Sequence, residues 1–188
     1  MPDIEFRGYS GDCLVMGRLE LPRGVRLTDF LNAAESLKVR GMTLHALDDA
    51  RMVPGDDQLL EVDELWAIEP TDPPGQSDMH VPTRALQVEF TLEPYVVSGY
   101  VHSLSTSDPI DNIYRRKSFV PVTDAQIRFT FGGRELTREA PVMIVNRHHA
   151  SNIQEVHYEK SLIDELGLAP VDPHAKDMTP EITFDREG

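Results

Sequence analysis

The feature that most restricts the fold of this chain is that one order of structural signals is written twice, on either side of a proline-rich break. The break, PTDPPGQSDMHVPT at residues 70–83, holds four prolines and almost no aliphatic side chains, and reads as a linker. Before it, Ile4 and Phe6 alternate with polar residues; after it, Leu86, Val88, Phe90 and Leu92 do the same. A second β-like stretch follows in each half, CLVMGRLEL at 13–21 and YVVSGYVHSL at 95–104, each with one interior glycine, Gly17 and Gly99. Glycine inside a strand pattern marks a bulge or sharp bend, the device that curls a small sheet. Each half then shows a short helical signal. RLTDFLNAAESL places Phe30, Leu31, Ala34 and Leu37 on one face with Thr28 as N-cap. SDPIDNIY offers Asp108 as N-cap, Pro109 at the first helical position, and Ile110, Ile113 and Tyr114 on one face. Both halves close in β-runs, with turns at residues 54–57 and at Gly132-Gly133.

Five or six short strands and one short helix in about 70 residues cannot bury a sheet face alone, so the sheet must close or pair. The expectation is a mainly β protein built as two tandem small barrels of SH3-like or Sm-like form. The first spans residues 1–70, the linker 71–83 and the second 84–158. An acidic, largely irregular tail with one short helix occupies 159–188. Charge is uneven: 7 basic and 14 acidic residues in 1–70, 8 and 10 in 71–158, and 3 and 8 in 159–188. The net charge of −14 disfavours general nucleic-acid binding. No run reaches the roughly 18 apolar residues of a bilayer crossing, and the amino terminus lacks the basic and apolar regions of a secretory signal, so no membrane insertion is expected. A single cysteine, Cys13, excludes an intramolecular disulfide and fits a reducing cytoplasm.

At RLTDFLN, residues 26–32, with the strand around Gly17 before it and LLEVDELWAIEP after it, the first half resembles an uncharacterised family of small bacterial β-domains. Those domains carry a similar Arg-Leu-Ser/Thr-Asp-Phe-Leu-Asn segment between strands and end in a hydrophobic strand with Asn or Asp near Asp63. In the second half VTDAQIRF and VMIVNRHH keep the strand pattern, while PIDNIYRR replaces the leucine-aspartate-phenylalanine core, so the second copy is divergent. The resemblance implies a bacterial origin and this architecture, and brings no catalytic residue, cofactor or partner.

Few residues nominate chemistry. His148 and His149, with His157 nearby, carry the imidazoles of a zinc or nickel site, which Glu155 would complete. Neighbours on a strand point to opposite faces, so the pair chelates only from a loop. Cys13 is a nucleophile only with a lowered thiol pKa, and Asp12 beside it acts the other way. Arg115, Arg116 and Lys117 form the only basic run; with Arg128, Arg134, Arg138 and Arg147 they would make an anion-holding or acidic-partner patch. Trp66 is either core or an exposed anchor. In the tail, Ser161 and Asp164 have capping-box spacing, and Leu162, Ile163 and Leu166 give a short apolar stripe suited to docking in a groove, on this chain or on another. Serine-hydrolase, zincin, paired-cysteine and phosphate-loop motifs are absent. The expectation is therefore not an enzyme, and without cofactor: a protein–protein interaction or scaffold subunit of a larger bacterial assembly. It would bind other proteins or a second copy of itself through Arg115, Arg116, Lys117, Trp66 and the tail stripe. The alternative is a regulatory domain holding a small anionic ligand on the second-half arginines, and the third is a histidine-metal enzyme.

Overall fold

The computed structural model describes residues 3–71, 83–104, 109–115 and 118–156. In the first half β1 (Asp3–Tyr9), β2 (Cys13–Glu20), α1 (Leu27–Leu31), β3 (Ser36–Ala46), β4 (Met52–Pro54) and β5 (Gln58–Glu61) are followed by a 3-10 turn at Val62–Glu64 and β6 (Ala67–Pro70). In the second, β7 (Thr83–Leu92), β8 (Tyr95–Leu104), α2 (Pro109–Arg115), β9 (Phe119–Phe131) and β10 (Arg134–Asn146) are followed by a 3-10 turn at Arg147–His149 and β11 (Asn152–Glu155). Pro109 opens α2 as expected, since its missing N–H costs nothing there. Thr28 does not cap α1: the helix begins one residue earlier, and Arg26 at its N-cap makes no side-chain bond. Asp108 and the tail, 157–188, lie outside the described residues.

Every ladder is antiparallel, and the strand order within the halves is the same. In the first, β6-β1-β2-β3-β5 are neighbours; in the second, β11-β7-β8-β9-β10. The correspondence reaches single residues. Phe6 pairs with Gly17 as Val88 pairs with Gly99, and the ladder to the next strand slips at each glycine, between Met16 and Arg18 and between Ser98 and Tyr100. A Cβ on Gly17 would sit 2.4 Å from Val39 Cγ1, and one on Gly99 2.6 Å from Val122 Cγ1. Two residues beyond those valines the backbone enters the left-handed region in both halves, at Gly41 (φ 55°) and Asp124 (φ 47°).

The halves do not close into two barrels. A strand has two edges, and both edges of β6 are taken, one by β1 and the other by β10 through Ile68↔Ile144 and Ala67↔Val145. β6 therefore cannot also pair with β5, nor β10 with β11, and the 3-10 turns carry the chain across both gaps. The outcome is one open sheet of eleven strands, running β11-β7-β8-β9-β10-β6-β1-β2-β3-β4 with β5 also on β3, and residues 1–156 form one compact unit.

Nor does each half keep its interior to itself. Leu14 and Val15, Ala67 and Ile68, Phe119 and Val120, and Ile144 and Val145 are neighbours in sequence, and each pair is split between two apolar clusters. Alternate residues of a strand face opposite ways, so the central strands are covered on both faces. Phe119 and Ile144 complete the first-half cluster, while Tyr9, Leu14, Leu47 and Ala67 enter the second. α1 supplies Leu27 and Leu31 to the former and α2 supplies Ile113 to the latter.

The two bend glycines should tolerate alanine unequally. Beyond the valine that crowds each site, Gly99→Ala places its Cβ 2.8 Å from the Thr123 carbonyl oxygen, whereas a Cβ at Gly17 stays 3.2 Å from the Arg40 carbonyl oxygen. Both variants should lose about 1–3 kcal/mol in urea unfolding, as overpacked sites do, with Gly99→Ala losing more because backbone has no rotamer to escape into.

Candidate functional site

A groove of about 680 Å³ lies over β1, β2 and β3 beside the seam between the halves. Period-two alternation puts Asp3, Glu5, Arg7 and Tyr9 on one face of β1, and register brings Arg7 opposite Glu69 on β6. Glu69 is 7 % exposed, the one buried charged residue among those described, and it is fully partnered. Arg138 of β10 grips it with a fork, Nε donating to Oε2 at 2.8 Å and Nη2 to Oε1 at 2.9 Å. Arg7 Nη1 and the Tyr9 hydroxyl each donate to Oε2 at 3.0 Å. Burial pushes the Glu69 carboxyl upward, but the hydrogen bonds and charges of Arg138 and Arg7 outweigh it and hold the group below the ordinary carboxylate range. Its hydrogen bond in turn raises Arg138, and burial followed by the Glu69 charge raises Tyr9. Elsewhere in the groove Arg18 pairs with Glu5 at 2.8 Å, and Arg40 with Glu20 and with Asp3 at 3.7 Å. Each arginine thus faces a carboxylate of this chain. A carboxylate locked in its ionised form is no proton donor, so the groove is a charge-balanced surface rather than an acid–base pair.

Further polar groups tie the halves together. Asn32, last residue of the RLTDFLN segment, receives the Phe119 N–H on Oδ1 at 2.9 Å and donates to the Phe119 carbonyl at 3.1 Å. Tyr95 donates its buried hydroxyl to the Ser10 carbonyl at 2.6 Å and lies edge-on to Tyr9, ring centroids 5.5 Å apart; burial raises its pKa. Asn146 donates to the Leu65 carbonyl at 3.3 Å.

The residues singled out from sequence fall in different places. Trp66 is half-buried at the seam, stacked on His149 at 4.9 Å and edge-on to Tyr95. His148 and His149 occupy a 3-10 turn rather than a strand. His149 Nε2 lies 2.6 Å from the Asp63 carbonyl oxygen, which ties that ring to the first half. Among the described residues no three metal-ligating side chains converge. Cys13 is half-buried 3.2 Å from Ser10 Oγ, and burial raises its thiol, opposite to what a nucleophile needs. Arg115 is exposed at the end of α2. Two second-half arginines are committed to different carboxylates, Arg128 to Glu89 at 3.4 Å and Arg138 to Glu69. Arg116, Lys117, His157, Leu162, Ile163 and Leu166 lie outside the described residues. Sequence reasoning passed over Glu69, Arg7, Asn32 and Asn146. The available signal was an acidic residue in the otherwise apolar strand LWAIEP, since a charge in a buried run needs a partner.

Comparison with family models, with curated proteins and with solved structures returns no match. No described helix is long and apolar enough to cross a membrane.

Glu69→Gln should destabilise the fold by about 2–4 kcal/mol at neutral pH, nearer the lower figure because solvent reaches Arg138. A depressed folded pKa stabilises fully above the ordinary value of 4.5 and loses that contribution as pH falls through the folded value. Unfolding curves of wild type and variant should therefore converge on acidification below 4.5 and stay apart above it. A gap that is constant with pH would remove Glu69 as an ionised keystone.

Proposed function

We propose that the protein is a non-catalytic protein–protein interaction module, a scaffold or accessory subunit of a larger bacterial assembly in a reducing cytoplasm. The observation that carries this reading is the open sheet, whose outer strands pair on one side only among the described residues. At one end Met52 (57 % exposed), Val53 (45 %) and Leu59 (72 %) gather on β4 and β5. Unpaired edges are templates for another chain, and proteins that have no use for them blunt them with charge or cover them. The internally matched charges of the groove support the same view, because Arg7, Arg18, Arg40 and Arg138 are each engaged by a carboxylate of this chain. The recurring strand order and bend glycines support descent from one ancestral five-strand unit of the RLTDFLN-bearing family, copied and fused. The tail stripe of Leu162, Ile163 and Leu166 is a second contact in this reading, and Arg115, Arg116 and Lys117 a third.

Affinity purification of the tagged full chain should return stoichiometric protein. Leu59→Lys should reduce that recovery at least tenfold, and deletion of residues 159–188 should weaken it. Melting temperatures should stay unchanged with nucleotides, sugar phosphates and divalent metals; a saturable rise with any of these would replace the interaction reading with a ligand-binding one.

A further inference from the structure

The two outer edges of the sheet correspond, residue by residue, to the two edges that meet inside the chain. Matched through Val39/Val122 and the β3 and β9 registers, Lys38↔Leu59 in the first half stands where Pro121↔Ile144 stands in the second. Matched through Gly17 and Gly99, Gly8↔Ile68 stands where Phe90↔Ile153 stands. Inside the chain Ile144 pairs with Ile68, and both are buried, at 2 % and 0 %. Their counterparts on the outside are Leu59 and Ile153. Leu59 is the most exposed large apolar residue of those described. β6, held on both edges, is buried at all four positions; β11, laddered only to β7 among the described residues, is exposed at three of four.

We infer that the partner is a second copy of this chain, joined head to tail. The β11 edge of one copy adds to the β5 edge of the next in the register that β6 and β10 use within the chain, setting Ile153 against Leu59. This inference rests on the interaction reading above and names its occupant. The contact is heterologous, because the two surfaces that meet are different, so it leaves one free edge of each kind and repeats as a ring or an open filament. The Arg138–Glu69 fork is not reproduced there. Its counterparts are Val53 and Gln154, and Glu89 stands where Arg7 does, so the Leu59–Ile153 contact between copies lacks the interlocking ion cluster of the internal junction. Copies of net charge −14 repel one another, so association strengthens as salt shortens the screening length.

Directional cross-linking of the full chain tests this. In a Cys13→Ala background, Leu59→Cys and Ile153→Cys chains are prepared separately and mixed under mild oxidation in about 0.5 M salt. Residues directly opposite on antiparallel strands have Cβ atoms about 4.5–5.5 Å apart, close enough for bridging after a small adjustment. The mixture should give a covalent dimer that does not grow further, while each chain alone gives less than a tenth of that yield. Sedimentation of the unmodified protein should show mass rising with concentration and salt, a rise that Leu59→Lys abolishes. Leu59 points to solvent, so that variant should keep its melting temperature and the comparison stays clean. Self-linking of Leu59→Cys alone would replace the inference with a two-fold contact. A monomer at every concentration and salt, with no cross-link in the mixture, would overturn it. If that monomer still captured a different protein, the head-to-tail inference would fall while the interaction reading stood; recovery of the tagged chain alone would sink both.

Discussion

β6 is a four-residue strand with both edges occupied, and the architecture follows from that occupancy. By giving its second edge to β10, it removes the strand that would have closed the first half and removes the edge of β10 that would have closed the second. Six strands of the first half and five of the second become one sheet, and the central strands acquire an apolar cluster on each face. Backbone pairing sets this geometry, but two ladder pairs are a thin junction. The aliphatic pair Ile68 and Ile144 supplies the burial, and the surrounding polar groups supply the register.

Those polar groups share one logic. Glu69, Asn32, Asn146 and Tyr95 each bring a hydrogen-bonding group to a place where water is excluded or reduced, and each finds a partner in the opposite half. A register slip of one residue would leave the Glu69 carboxylate facing apolar side chains, which costs far more than the slip could recover. The ion cluster thereby works against misalignment more than it adds net stability. Of these only Glu69 reaches the adjoining groove, where it and Asp3, Glu5 and Glu20 engage the arginines that look like a binding patch.

Much of the local structure was legible from residue order. Gly17 and Gly99 mark the bends, Pro109 opens α2, Gly132-Gly133 turns the long hairpin, and alternation in β1 and β7 places their cores, because these signals act over a few residues and depend on φ, ψ and side-chain period alone. Thr28 misled, since burial of Leu27 starts α1 before the threonine. Glu69 was passed over because its partners, Arg7 and Arg138, are remote in sequence. Whether His148 and His149 leave the strand was open in the sequence, and the partners of the His149 ring, Asp63 and Trp66, are remote in it.

The amino-acid order by itself therefore determined the mainly β character, the two-part plan, the bends and the short helices, since each follows from local sterics and side-chain periodicity. Only the tertiary structure decided that the parts share one open sheet instead of closing separately. Pairing of a strand edge is a competition between β5 and β10 for β6, and its outcome depends on which neighbour brings a matching apolar side and satisfied polar groups, a comparison across 60 to 80 residues that no local pattern encodes.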